Sequence, residues 1–334
     1  MVQGELRDGR KVRLTFDSDL YQESLSKLGF GTWGLGGNAY GSISENHARL
    51  LISYSYARGI RTFDTSPLYG DGRSECILGD ALAGVPRDTY RLITKGGLYE
   101  SGSEELRDFS GLALNRSLIA SLSRLRTDYV DNFLLHSPTS EEIADGKANQ
   151  YGLGSQIEDG VIRSFGVSLK SPANYSLIND LNFIRAIEFN FSLMDQRAGF
   201  LSCKESATAD FFKIARTPYN FGFLTSKPPE KSPPTSPRVH LKNWSQQQFD
   251  IWHASREIWA KIAQSNMLSL EDLALTFVLS SDFVDLVVPG FMKAEHIDSA
   301  IATAKRGLLT KDSRDYLVDI YKENESMFVV KRND

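Results

Sequence analysis

Eight short apolar runs recur along this chain, separated by stretches with helical spacing, and that alternation limits the fold more than any other feature. The runs are Leu28–Gly31, Ile60–Phe63, Tyr90–Thr94, Tyr129–Leu135, Ile162–Val167, Ala186–Phe189, Phe211–Ala215 and Leu286–Val288. Between most of them apolar residues repeat every three or four positions, as in Asn46–Arg58, Gly111–Leu125 and Ser245–Ala263. Continuous apolar strands joined by crossover helices build a parallel sheet covered on its outer side, and eight such units close a barrel. The expected fold is a single (β/α)8 TIM barrel over residues 1–334. A hairpin or extension is expected over 1–26 and a tail over 306–334. Glu5–Val12 holds an Asp-Gly turn between short runs and reads as a small hairpin that plugs the barrel floor. The fourth helix, Ala144–Gly154, carries three glycines, and Lys227–Pro237 holds five prolines. The latter reads as an extended surface loop and a candidate lid.

Composition bounds the partners. With 41% hydrophobic and 24% charged residues the chain has ordinary globular proportions. A net charge of -4 supplies no basic field for nucleic acid or anionic lipid, so a small-molecule partner is expected and neither of those. The two cysteines, Cys76 and Cys203, sit in no CxxC or Cys/His cluster, which points away from a disulfide framework and from a metal site. Cys76 reads as a buried, inert thiol. The absence of an 18-residue apolar run, the charged stretch Met1–Arg13 and the sparse cysteines together lead us to expect a cytoplasmic protein.

In a barrel of this kind the active site lies where the strands end, so polar residues that terminate apolar runs come first. The second run stops at Asp64, the third at Lys95 and the fourth at His136, while Tyr69 follows in the loop after Asp64. Neighbouring strands bring these four side chains to one rim. A tyrosine titrates near pH 10 and donates a proton poorly at neutrality, but an adjacent ammonium favours the phenolate. Lys95 is expected to lower the Tyr69 pKa in this way, with Asp64 as counter-charge and His136 orienting a carbonyl oxygen. Trp33 and Tyr99 are candidate walls of a substrate pocket beside Tyr69 and His136. His47, His240 and His253 read as surface or packing residues, and Trp252 and Trp259, seven apart, as core.

The string Asp64-Thr65-Ser66-Pro67-Leu68-Tyr69-Gly70-Asp71-Gly72-Arg73-Ser74-Glu75 resembles the signature of the aldo-keto reductases. Ile93-Thr94-Lys95 and Leu134-Leu135-His136 are similar to that family's lysine and histidine strands, and Leu28–Trp33 to its first. The resemblance implies an NAD(P)-dependent oxidoreductase that passes a hydride between a nicotinamide and an aldehyde or ketone. Asp64, Tyr69, Lys95 and His136 would be its catalytic tetrad, and Tyr69 its general acid or base. It implies cofactor contacts from Gly31, Thr32, Trp33 and Asp64. Ser168 and Glu188 would meet the carboxamide, and Arg216 the nicotinamide ring. Pro218, Phe221, Gly222 and Phe223 would fold over the pyrophosphate, with Gly222 letting backbone amides approach it. Gly290, Lys293 and His296 would lie near the adenosine ribose. The cofactor is read as NADPH on family habit, with NADH as the alternative. Family members carry Ser-Asn and Gln where this chain has Ser168-Leu169 and Glu188. Two alternatives stay open: an Arg216–Glu188 ion pair that touches no cofactor, and a barrel that serves as a nicotinamide-binding or protein-interaction scaffold. Gly166–Pro172 and Met194–Arg197 resemble relatives of sugar pathways and hint at a hydroxylated carbonyl substrate.

Overall fold

The computed structural model describes residues 12–37, 39–101, 104–146, 152–170, 178, 183–202, 211–230, 241, 244–325 and 328. Eight strands form one parallel sheet. They are β1 (Phe30–Gly31), β2 (Thr62–Asp64), β3 (Arg91–Gly96), β4 (Asn132–His136), β5 (Phe165–Ser168), β6 (Ala186–Asn190), β7 (Phe212–Arg216) and β8 (Leu286–Val288). Each pairs with the next in sequence order. The sheet closes on itself: parallel bridges join Leu28 to Val287 and Gly31 to Gly290, and the Gly29 and Gly31 amides donate to Val287 O and Pro289 O at 2.8 and 2.9 Å. All eight expected strands are present within a few residues of where the apolar runs placed them.

The alternation of side chains along each strand decides what lies inside. One parity, including Phe30, Phe63, Leu92, Phe133, Phe165, Ile187, Phe189 and Val287, joins the main core beneath the helices. The other parity fills the lumen with Ile93, Leu134, Ala186, Ile214, Leu286 and Val288. Two positions further along their strands, the same lumen parity reads Lys95, His136, Glu188 and Arg216. The barrel is thus apolar below and ionisable at the mouth.

Helices α1 (Glu45–Ala57), α2 (Arg73–Ala81), α3 (Gly111–Leu125), α4 (Gln246–Ser265), α5 (Leu270–Leu279), α6 (Ala294–Ala304) and α7 (Lys311–Glu323) lie along the chain between and after the strands. Ser44, Ser110, Ser245 and Ser269 cap α1, α3, α4 and α5 by accepting from the third residue on, which places those starts where the sequence has a serine before an apolar period. Between β4 and β5 the described residues hold two short helices, Ser140–Gly146 and Gly154–Glu158, and residues 147–151 of the helix expected over Ala144–Gly154 lie outside the described residues.

Two elements were not expected. An antiparallel hairpin, Leu98–Ser101 with Glu104–Arg107, rises after β3, and Phe16–Asp17 pairs with Leu308–Leu309, so the early chain is tied to the late chain. The expected plug at Glu5–Val12 falls almost wholly outside the described residues, as do Cys203, His240 and the proline-rich loop after Glu230. No helix among the described residues is long and apolar enough to cross a membrane.

Candidate active site

Asp64 ends β2 and Lys95 lies near the end of β3. Both are buried at the mouth, and the Lys95 ammonium donates to Asp64 Oδ1 and, at 3.1 Å, to Thr65 O. Tyr69 arrives from the loop after β2. Its amide donates to Ser66 O at 3.0 Å, and the next residue, Gly70, has φ of +65°. A Cβ at Gly70 would lie 2.4 Å from Gly36 O, so only glycine allows the turn that presents the tyrosine. The phenol oxygen stands 3.5 Å from Lys95 Nζ. His136, at the end of β4, meets the Tyr69 ring edge-on with centroids 6.0 Å apart, and its Nδ1 lies 3.0 Å from Ser66 Oγ. The four side chains of the expected tetrad therefore meet at one point.

The motif residues Ser74 and Glu75 hold this point in place. Ser74 Oγ donates to Thr32 O at 3.0 Å. Buried Glu75 accepts from Thr94 Oγ1 and from Arg124 Nε, each at 2.6 Å, and so ties β3, one residue before Lys95, to α2 and α3.

The electrostatics differ from the sequence expectation in one respect. Lys95 does pull the Tyr69 pKa down, but burial of the phenol outweighs it, Asp64 and Glu188 add to the rise, and the phenol ends well above its ordinary value. Desolvation is the larger force because Tyr69 is only 8% exposed. Burial alone would lower the Lys95 pKa, yet Asp64, Glu188 and Tyr69 together raise it, so the ammonium stays charged. Asp64 is pushed up to about 7, first by burial and then by Glu188, against the pull of Lys95. His136 lies well below its usual range, through burial first and then the cations Lys95, Arg216 and Arg107, and it is neutral.

The expected cofactor residues fall into three groups. Glu188 and Arg216 join the tetrad: Glu188 Oε2 is 3.2 Å from Lys95 Nζ and its Oε1 3.3 Å from Arg216 Nε. Neither Glu188 oxygen has a hydrogen-bond partner, and neither do Arg216 Nε and the buried hydroxyl of Thr32. Such orphaned groups fit a ligand that brings both donors and acceptors, as the carboxamide of a nicotinamide does. Gly31, Gly290 and Ser168 lie on the same rim, and a Cβ at Gly290 would meet only Gly31 O at 3.8 Å. The second group is the turn after β7. Here Thr217, Asn220 and Phe221 take positive φ, and the amides of Asn220, Gly222, Phe223 and Leu224 are spent within the turn. The Gly222 amide, expected to face phosphate, donates to Tyr219 O at 2.9 Å. Pro218 and Phe223 are buried, Phe223 packing on Phe249, while Phe221 packs on Trp244 and Trp252. The third group is exposed: Lys293 stands at the N-cap position of α6 without a side-chain capping bond, and His296 Nδ1 accepts from the Met292 amide at 3.5 Å.

Trp33 borders the phenol, with ring centroids 6.3 Å apart, and Tyr40 meets Trp33 edge-on at 5.5 Å. Tyr40 and Ser66 were not singled out from sequence. Ser66 lies inside the signature string, where its position between Asp64 and Tyr69 was the available clue; Tyr40, in a glycine-rich stretch without periodicity, offers none. Tyr99 is not brought to the cluster, because its hydroxyl donates to Ala113 O on α3 at 3.2 Å. Cys76 is exposed rather than buried, since it falls on the outer side of α2, and desolvation at its partly covered thiol pushes its pKa up. Trp252 and Trp259 are core, as their spacing implied.

A barrel with a tyrosine, a lysine, an aspartate and a histidine at its mouth defines a class, and the pattern of the Aldo/keto reductase family matches residues 27–322. The chain belongs to that family and is a nicotinamide-dependent oxidoreductase of carbonyl compounds. It is similar to the uncharacterized oxidoreductase YqkF of Bacillus subtilis, 28% identical over 309 residues that cover 90% of this chain and 96% of YqkF. A D-threo-aldose 1-dehydrogenase of a Pseudomonas species is 26% identical over 294 residues, with 80% and 85% covered. Among solved structures, the holo form of aldo-keto reductase AKR11C1 from Bacillus halodurans superposes with a TM-score of 0.72 at 26% identity, covering 88% of this chain and 91% of that one.

Proposed function

We propose that the chain reduces hydroxylated aldehydes or ketones of the sugar kind with NADPH, Tyr69 serving as the acid in reduction and the base in the reverse direction. The observation that carries this reading is the 3.5 Å approach of the Tyr69 phenol to a charged Lys95, with His136 beside it. The aldose dehydrogenase among the relatives supports the substrate class, as does the aromatic wall of Tyr40, Trp33 and Tyr69, whose faces suit the C–H surfaces of a sugar. Exposed Lys293, a point charge at a helix start, supports a 2'-phosphate and hence NADPH.

A bound nicotinamide supplies the hydride. Glu188, Thr32 and Ser168 would hold its carboxamide end, and Arg216 its ring. The protein's own part is proton management. Tyr69 keeps its proton on Oη until negative charge grows on the carbonyl oxygen, then releases it, and Lys95 stabilises the phenolate left behind. Neutral His136 would offer the same oxygen a hydrogen bond from Nε2 in the tautomer whose Nδ1 accepts from the Ser66 hydroxyl, which lies 3.0 Å away and itself accepts from the Leu68 amide at 3.2 Å.

Tyr69→Phe should lower turnover of an aldose or aldehyde panel by about 100-fold or more while NADPH still quenches protein fluorescence with unchanged affinity. Retained turnover would remove Tyr69 from the chemistry. Lys293→Ala should weaken NADPH about tenfold and leave NADH unaffected; equal losses would deny Lys293 the phosphate.

A further inference from the structure

Lys95 is held by more than one carboxylate. Asp64 reaches it from β2, the neighbour of β3, and Glu188 reaches it from β6, three staves round the barrel from β3. An ammonium has three N–H donors. Four oxygens surround this one: Asp64 Oδ1, Thr65 O at 3.1 Å and the Tyr69 hydroxyl at 3.5 Å in hydrogen bonds, and Glu188 Oε2 at 3.2 Å as an ion pair. The phenol is the farthest of the four. Glu188 is fixed from behind, since Arg216 Nε stands 3.3 Å from its other oxygen while Arg216 Nη2 donates to Leu169 O at 3.0 Å. Glu188 is fully buried, and Arg216 stands against it as the second cation, so two cations and two acidic side chains share the base of the mouth.

We propose that Glu188 is a positioning residue that draws the Lys95 ammonium away from the phenol oxygen and so adds to burial in holding Tyr69 in its protonated, proton-donating form. The charged and titratable groups that face the phenol are Lys95, Asp64, Glu188, Arg216 and His136. Within that set Glu188 is the one carboxylate beyond Asp64, and its negative charge opposes the phenolate twice, directly and by competing for Lys95. A glutamine at this position would keep the size of the side chain and remove both effects. Arg216 acts on the phenol in the opposite sense and more weakly. The role deepens the reading of Tyr69 as the acid of the site and rests on it.

The test measures ionisation rather than turnover. Tyrosinate absorbance is titrated upward in pH for the full-length protein and for Glu188→Gln, and in each case the matching Tyr69→Phe protein is subtracted to isolate one phenol. The onset for Tyr69 should fall by at least about one pH unit in Glu188→Gln, a tenfold gain of phenolate at a fixed pH. Glu188→Gln with Arg216→Gln removes the cation along with the carboxylate, and it should move the onset the same way by a smaller amount. This double variant carries the test if the single one does not fold. Superimposed difference curves would overturn the proposal. Since no catalysis is read, an active Tyr69→Phe enzyme would defeat the acid role of Tyr69 without changing the meaning of this titration.

Discussion

His136 carries an energetic cost that can be measured. Its folded pKa is depressed below the usual histidine value, so the unfolded chain binds a proton more readily than the native one. Stability contributed by the neutral ring is therefore full above about pH 6.5 and is lost as pH falls through that value. The loss amounts to at most about 2 kcal/mol by pH 5, and less in practice, because the mouth leaves the ring partly open to solvent. His136→Gln should flatten the fall in melting temperature between pH 7 and pH 5 relative to the unaltered protein; parallel falls would mean that the ring titrates normally. The same depression predicts that no limb near pH 6.5 in the rate profile belongs to His136. Asp64, Lys95 and His136 were legible because each breaks an apolar run with a polar or charged group that water or a partner must satisfy. Glu188 was legible as a departure, but its hold on Lys95 was not, since strands β3 and β6 are three apart in the sheet and no local spacing links them.

Helix α2 shows how an element converts a motif into geometry. Its Glu75 sits in the first turn with no solvent exposure, and both of its oxygens are used, one on Thr94 of β3 and the other on Arg124 of α3. Removing the charge as Glu75→Gln leaves Arg124 without its carboxylate and weakens the clamp next to Lys95. The expected cost is about 2 kcal/mol, below the usual figure for breaking a buried pair because Arg124 is 28% exposed. Denaturant unfolding should show a lower midpoint with an unchanged slope; an unchanged midpoint would show that Glu75 braces nothing. Helices α1, α3 and α4 were readable from their period and serine caps. The hairpin Leu98–Arg107 was not, because Glu100 to Glu105 contains no apolar residue and presents no buried face to read. What holds its return strand is side-chain chemistry from elsewhere in the chain: Arg107 donates to Glu142 Oε1 and Oε2 at 3.1 and 2.6 Å and to Ser137 O at 2.9 Å.

At the scale of the whole molecule, the girth of the barrel is set by what its lumen can hold. The count of eight apolar runs was enough to expect closure, but not to say how tightly the staves approach, because that depends on lumen residues from different strands meeting one another. Gly166 on β5 is the tightest of these. A Cβ there would fall 2.2 Å from Ala186 O and 2.7 Å from a Leu134 methyl, so even alanine would force backbone on β6 to move. Any outward shift of β6 carries Glu188 with it, two residues above Ala186, and loosens the ion pairs to Lys95 and Arg216. Gly166→Ala should therefore cost about 2–3 kcal/mol through overpacking, in spite of the lower entropy that alanine gives the unfolded chain. It should also lower activity more than an equally destabilising change on the outer side of the barrel. Paired measurements of melting temperature and kcat/KM on Gly166→Ala and on Ile187→Ala, whose side chain faces the helices, would check this. If both variants lost activity only in proportion to the fraction unfolded, lumen width would not be transmitted to the mouth, and the site would owe its geometry to the strand-end loops alone.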